Sequence, residues 1–299
     1  MTAPDASVAV PGGATRSKVA VAAPPSAEAP GSAAGWAVRD TLALAKRNLL
    51  HYTRVPQLLV FTFIQPIMFV LLFRYVFGGT VAIPIKGGYV NYLMPGIFGQ
   101  TVVFGATSTA IGLAEDLGGG IIERFRSLPM VRMSVLAGRT GADLVRNGGV
   151  VVVMFIVGFA VGFRPSGGPL RIVLGALLVL AFAFSLSWIM ANVGLKVANG
   201  EAAQAVAFPL MFPLTFASSV FVRVDRMPGW LQGFAAHQPV TVVVNAARGL
   251  MLGPEATAKL RAAGAFTTST TSYVLQSLGW IAAILAVFVP LAVRQFNRS

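Results

Sequence analysis

Six stretches of this chain run for about twenty residues with little charge, near 57–77, 93–114, 144–163, 170–192, 202–222 and 273–293. Wound as an α-helix, a segment of that length matches the thickness of a bilayer's hydrocarbon core. Lipid offers no water to bond the backbone, so a spanning segment must satisfy its own N–H and C=O groups, which a helix does. The sequence therefore predicts an all-α polytopic membrane protein with six transmembrane helices. Composition agrees: 56% of residues are hydrophobic and 11% charged, where soluble domains carry roughly a quarter charged. Pro66, Pro95, Pro209, Pro213 and Pro290 fall inside the predicted spans. They do not forbid helices there, because neighbouring helices and waters satisfy the freed carbonyls.

The formal charge of +13 raises nucleic acid as a partner, but no basic tract with interleaved aromatics accompanies it. Polytopic proteins concentrate Lys and Arg in cytoplasmic loops, and that bias sets orientation. Arg39, Lys46, Arg47 and Arg54 precede the first span. Arg124, Arg126, Arg132, Arg139 and Arg146 follow the second, Lys196 follows the fourth, and Arg294 and Arg298 close the chain. The short loops on the other side hold only Lys86, Arg164 and Arg171, and the remaining basic residues lie in the long loop after span five, where the rule weakens. Both termini are expected to be cytoplasmic. Residues 1–35, rich in Ala, Pro, Gly and Ser, read as a disordered cytoplasmic tail. Prolines and the lack of a continuous apolar run argue against a secretory signal there. The absence of cysteine removes disulfides and thiolate chemistry.

Three segments outside the spans carry pattern. Gly118-Gly-Gly120 should break the second helix, and Pro129 disfavours helix at Leu128. Between them, over 121–128, Ile121, Phe125 and Leu128 share one face while Glu123, Arg126 and Ser127 take the other. A helix of two turns is marginal alone, so either lipid or a docking partner must bury its apolar face. Before span one, Val38, Leu42, Ala45, Leu49 and Tyr52 recur at helical spacing opposite Arg39, Asp40, Lys46, Arg47 and Arg54. That pattern predicts a helix lying in the membrane interface. After span five, the apolar run 239–252 is too short to span and reads as part of an interfacial or re-entrant helix pair over 228–252. A seventh span there is the competing arrangement, and it would move Arg294 and Arg298 outside.

Two blocks carry a likeness: IERFRSLP followed by VLAGR, and MPGWLQGFAAHQPVTVVVNAARGL. Together, in order and spacing from Trp36 onward, they resemble the ABC-2 family of ABC-transporter permeases, most of all its daunorubicin-resistance, drug-export type. The resemblance implies a half-channel in a bacterial cytoplasmic membrane whose motor is a separate ATPase subunit holding ATP and Mg. It implies a coupling helix at 121–128 that docks into that subunit, with Ile121, Glu123, Arg124, Phe125, Arg126, Leu128 and Pro129 as the coupling residues. The helix before span one then matches the interface helix, with Arg39, Lys46, Arg47 and Arg54. The pair over 228–252 matches extracellular helices, with Trp230, Phe234, His237, Pro239 and Arg248. A second copy or sister permease would complete the path. Independently, the sequence contains no G-x-x-x-x-G-K-[ST] phosphate loop, so any ATP is expected on another chain, and this chain is expected to be no enzyme.

Gln65, Arg74, Gln100, Thr107 and Ser108 are the candidate cargo-path residues, although the polar ones could equally bond helix to helix, and Arg74 could snorkel to headgroups. Gly158 and Gly162 form a weak G-x-x-x-G. Arg139, Asp143 and Arg146 stand at i, i+4 and i+7 and predict an ion-pair ladder where span three begins. His51 and His237 are expected on opposite sides of the membrane, so no metal site is expected. An ion-coupled transporter would bury a carboxylate within its spans, and by these boundaries none lies deep. An intramembrane enzyme needs convergent nucleophile and base, which the spans lack. The expected cargo is an amphipathic drug, antibiotic or lipid-like molecule, with polysaccharide or glycolipid export as the alternative.

Overall fold

The structure is a computed structural model that describes residues 39, 41–46, 48, 56–79, 83–120 and 133–298. The tail 1–35, the segment 121–128 with Pro129, and Arg47 and Arg54 lie outside the described residues. Among the described residues the regular structure is helical. Pro56–Leu72 (α1) passes into a π-helical turn over Phe73–Phe77. Gly88–Gly118 (α2), Met133–Ala160 (α3), Pro169–Gly194 (α4) and Gly200–Phe216 (α5) follow. After them come Gly229–His237 (α6), Pro239–Ala262 (α7) and Thr270–Arg298 (α8). Residues Gly88–Gly118, Ser134–Ala160, Pro169–Gly194 and Thr270–Phe296 are long and apolar enough to cross a membrane. α5 has 17 residues, about 26 Å of helix, and the apolar part of the first helix covers Phe63–Phe77.

Local chemistry sets the helix ends. Pro169 and Pro239 open α4 and α7, where a missing N–H costs nothing. Asn199 caps α5, its Oδ1 accepting the Ala202 N–H at 2.8 Å. α2 stops at the predicted glycines: Gly119 N–H donates to Glu115 O, Gly120 N–H donates to Leu117 O, and Gly120 takes a φ of 67°. Two helices run past their sequence-predicted starts. α3 begins at Met133, eleven residues before 144, because its first turns bury a polar face against α2 instead of ending at the charges. α2 begins at Gly88 rather than 93 for the converse reason, Tyr89–Tyr92 being buried by neighbours.

α2 is the axis of the bundle and packs on α1, α3, α4, α5 and α7. Burial by several neighbours explains its lack of a single apolar stripe, since apolar residues are needed on more than one side. Backbones approach it through small residues. A Cβ on Gly194 of α4 would lie 2.5 Å from the Ala110 carbonyl oxygen, and one on Gly96 would lie 2.2 Å from that of Val220. Both obstacles are main chain and cannot swing aside. Gly194→Val is expected to push α4 from α2 and cost about 1–3 kcal/mol, read as a lowered thermal midpoint in detergent. Gly279→Ala on α8, with open space around it, should leave the midpoint unchanged. The G-x-x-x-G of α3 does not form a helix-helix seam: Gly158 faces the Met94 side chain, and Gly162 lies beyond the helix at a φ of 98°.

The amphipathic helix before α1 packs with a different face from the one its sequence suggests. Residues 39, 41–46 and 48 include helical turns in which Leu44 and Asn48 are buried while Leu42 is 64% exposed. Gly138 of α3 decides this, since its missing side chain admits Leu44 Cβ and the Thr41 carbonyl to the α3 backbone. Leu44 then joins a second apolar cluster with Leu113, Leu136, Trp188 and Phe296. Arg39 and Lys46 stay on the exposed side.

Candidate functional site

Halfway along α2, polar residues gather on the face toward α1 and α3. They line a cleft of about 160 Å³ with Gln65, Pro66 and Phe69 of α1, Gln100, Thr101, Phe104, Thr107 and Ser108 of α2, and Arg146, Asn147 and Val150 of α3. The hydroxyls are compatible with helix because they bond their own turn: Thr101 donates to Ile97 O at 2.7 Å, Thr107 to Phe104 O at 2.6 Å and Ser108 to Gly105 O at 2.8 Å. Gln100 and Asn147 are nearly sealed, 2% and 1% exposed, yet Gln100 Oε1 and Asn147 Nδ2 have no hydrogen-bond partner among the described residues. Buried polar atoms in native proteins are rarely left so.

Four of the five sequence-predicted cargo-path residues, Gln65, Gln100, Thr107 and Ser108, thus meet at one cleft. Arg74 does not join them. It sits in the π-helical turn with its guanidinium carbon 5.9 Å from the centre of the Tyr75 ring.

A charge ladder adjoins the cleft. Asp143, one residue before the predicted start of span three, is fully buried (0% exposed). Thr109 Oγ1 donates to it at 2.6 Å, Arg139 and Arg146 stand 3.9 and 3.8 Å away, and Arg139 reaches on to Asp116 at 3.6 Å. Arg146 also donates to the Gly105 carbonyl at 2.7 Å and Arg139 to that of Ser108 at 3.3 Å. The ladder of Arg139, Asp143 and Arg146 forms between the expected residues and extends to a second helix. It fits because α2 presents Gly105, Ser108, Thr109 and Gly112 to α3. A Cβ on Gly112 would overlap the Arg139 guanidinium, at 1.4 Å from its nitrogen. Two arginines and two aspartates balance, as burial of charge demands.

At the other end of α2 a second polar group closes the core. Arg248 of α7 is fully buried, donating to Tyr92 O at 2.9 Å, Ser219 O at 2.9 Å and Asn245 Oδ1 at 2.6 Å, with its guanidinium carbon 3.7 Å from the centre of the Tyr92 ring. It pins the turn after α5 to α2 and α7. Gln238 holds the same turn from the start of α7, donating to Leu214 O at 2.9 Å and Ala217 O at 3.2 Å and accepting from Val240 N–H. The stretch 239–252 is consequently packed among α2, α4 and α8, not laid flat at a surface. A kink at Gly253 (φ 80°) ends it, where Ser166 and Gly167 of the α3–α4 loop bond the Leu252 and Met251 carbonyls. Past the kink, a hydrogen bond from Lys259 at 2.9 Å holds the exposed Glu255 carboxyl below its ordinary range. α6 differs from α7: Trp230 is 81% exposed, Phe234 projects with it one turn on, and His237 is exposed with Nδ1 2.9 Å from Gly233 O.

Residues 39–252 match the family described as ABC-2 type transporter. The chain belongs to that family. It is similar to the daunorubicin resistance ABC transporter permease protein of Streptomyces coeruleorubidus, 31% identical over 88% of each chain. It is also similar to a Mycobacterium tuberculosis protein named as a probable doxorubicin resistance ABC transporter permease, 26% identical over 75% of this chain and 82% of the relative. A further doxorubicin resistance ABC transporter permease protein of that organism is 28% identical over 54% of this chain and 55% of its own. This ABC-2 permease is thus a multi-pass membrane protein and a transport component.

In the permease the cleft and the ladder share α3, and sequence reading separated them. Arg146, expected in the ladder and among the orienting charges, also lines the cleft, beside Asn147, Phe69 and Phe104, to which no sequence pattern points. The signal was present as two faces: Gly105, Ser108, Thr109 and Gly112 recur at helical spacing on α2, as Arg139, Asp143 and Arg146 do on α3. A small-residue face opposite a charged face is a packing pair, readable once the partners are known.

Proposed function

We propose that this chain is the membrane subunit of an ATP-driven exporter that moves an amphipathic drug, antibiotic or lipid-like molecule out across a bacterial cytoplasmic membrane. In this reading α1 to α5 and α8 are the six spans and both termini are cytoplasmic. α6 and α7 form the extracellular pair, and two permease chains enclose the path. ATP and Mg sit on a separate ATPase subunit that grips the segment 121–128 through Phe125 and Leu128, oriented by Glu123, Arg124 and Arg126. Arg39, Lys46, Arg47 and Arg54 border the same subunit or the lipid surface. The resistance permeases similar to this chain support the cargo class.

The observation that carries the reading is a continuity within the bundle. The polar cleft on α1, α2 and α3 is joined by Arg146, Asp143, Arg139 and Asp116 to the end of α2 from which the 121–128 segment departs. Packed charges with discrete partners transmit displacement better than lipid-filled space does.

Phe125→Ala combined with Leu128→Ala is the test. The variant is expected to insert normally but to lose co-purification with the ATPase subunit and stimulation of its hydrolysis, with efflux falling to that of membranes lacking the permease. Unchanged ATPase stimulation and efflux would overturn the docking assignment.

A further inference from the structure

The structure assigns an anionic-phospholipid site to the rim of the bundle between α3 and α4, where Arg164 and Arg171 stand above two exposed apolar helix flanks. The chemistry of the site is independent of the exporter reading, which serves only to place it at the outer leaflet. Under that reading this end of the bundle should be poor in cations, since Lys and Arg concentrate in cytoplasmic loops. Both arginines are nevertheless exposed here, one on each side of the short α3–α4 loop. Their presence calls for a reason other than orientation.

Neither arginine has a carboxylate. The two acids described at this end, Asp225 and Glu255, are engaged elsewhere: Asp225 holds Arg223 and Arg226, and Glu255 holds Lys259 at 2.9 Å. Among the described residues no ion pair reaches Arg164 or Arg171. Arg164 is partly accounted for by its own helix. Its Nη1 donates to Phe159 O at 2.7 Å and Phe163 O at 2.8 Å, at the C-terminal end of α3, where the helix dipole favours a cation. Those bonds leave Nε and Nη2 as donors for an outside group. Arg171 has no such account. It occupies the first turn of α4, where the dipole opposes a cation and no acidic residue offsets it. An anion from outside the protein does.

The loop fixes its backbone before any lipid arrives, which lowers the cost of binding. Arg164 N–H donates to Asn91 Oδ1 at 2.8 Å, and Asn91 Nδ2 donates back to Arg164 O at 3.1 Å. Ser166 and Gly167 are tied to the Leu252 and Met251 carbonyls. Below the rim, Val152, Ile156 and Phe159 form an exposed stripe on α3, and Leu170, Leu174 and Leu177 form one on α4. The two helices pack on each other, so donors at the rim continue directly into apolar surface. That continuity selects a lipid over a soluble anion, which would use the arginines alone. A headgroup of net negative charge gains from both guanidinium groups. In a zwitterionic headgroup the phosphate is already offset by its own ammonium.

The test uses the purified full chain in detergent, without its ATPase, titrated with phosphatidylglycerol or phosphatidylcholine. Native mass spectrometry reads the apparent affinity of the first lipid retained. An arginine near an anionic headgroup contributes about fivefold. The unaltered chain should therefore hold phosphatidylglycerol at least about tenfold more tightly than phosphatidylcholine. Arg171→Gln should weaken phosphatidylglycerol about fivefold, and Arg164→Gln with Arg171→Gln should bring the two lipids level. Arg171→Lys, which keeps the charge, should retain the preference. The Arg171 single variants keep the question open to measurement if loss of the Arg164 bonds prevents folding. Arg226→Gln, at an exposed arginine beside Asp225, should change nothing. Equal affinities for the two lipids, or binding indifferent to Arg164 and Arg171, would overturn the site. An equal loss in Arg226→Gln would show diffuse attraction to a basic surface and would overturn it too. Release of the retained lipid by glycerol phosphate would mean that the arginines hold a soluble phosphate, against the lipid assignment. Failure here leaves the exporter reading standing, because neither ATPase stimulation nor efflux enters the measurement. Loss of coupling through Phe125 and Leu128 likewise leaves the lipid affinities unchanged.

Discussion

Arg248→Ala is expected to lower the thermal midpoint of the detergent-solubilised permease by about 10 °C, corresponding to about 3–5 kcal/mol. The guanidinium supplies three hydrogen bonds to acceptors that water does not reach: Tyr92 O, Ser219 O and Asn245 Oδ1. Truncation takes one donor from each acceptor, leaving Asn245 Oδ1 to the Ser219 hydroxyl and Ser219 O to the more distant Tyr92 hydroxyl, removes the contact with the Tyr92 ring and opens a void the size of the side chain. The turn after α5 loses its tie to α2 and α7. Arg248→Lys keeps the charge but cannot span three acceptors with a planar fork, so an intermediate loss is expected. The measurement is a melt followed by size-exclusion, with trypsin cleavage after Arg223 as a local reporter of the released turn. A midpoint within about 2 °C of the unaltered chain for Arg248→Ala, less than about 1 kcal/mol, would show that the buried arginine is energetically idle.

Asp143→Leu is the second large effect, expected to cost about 3–5 kcal/mol, because it takes from the partly buried Arg146 and Arg139 the carboxylate they share, while Arg139 keeps Asp116. Asp143→Asn retains an acceptor for the Thr109 hydroxyl and should fall between the two. The sharper experiment is the double variant Asp143→Leu with Arg146→Met. Removing both charges leaves Arg139 paired with Asp116, so more than half of the lost stability should return, since well-packed apolar replacements of a buried pair are often neutral. Thermal midpoints of the two single variants and the double form a cycle that isolates the pair. Additive losses in that cycle would mean that Asp143 and Arg146 act independently, and the ladder would lose its standing as a connected element.

These two residues also show how legible the chain was. Arg248 stood out in the sequence as part of H-Q-P-V…R-G-L, but its surroundings did not. The residues it bonds lie 29 and 156 positions away as well as three, and no periodicity joins Tyr92 to Arg248. Asp143 was visible at helical spacing with its arginines, so the ladder was predictable from one helix. Its depth was not, because depth depended on Gly105 and Gly112 of another helix providing room. The helix before α1 makes the same point. Its period announced an amphipathic helix, yet Gly138 on α3 turned Leu44 inward and Leu42 outward.

The sequence by itself determined the all-helical, membrane-spanning character, the family and the glycine stop after α2. Each of these follows from hydropathy over a window, a local turn preference or a contiguous motif, and all three are written in neighbouring residues. Only the tertiary structure decided that Gln65, Gln100, Thr107 and Ser108 share a cleft with Arg146 and Asn147, that Arg74 stands apart, and that 239–252 is buried. In a bundle whose helices are apolar on most faces, hydrophobic patterning does not choose which face meets which. That choice falls to the few places where a glycine lets a backbone come close and a polar group finds its partner.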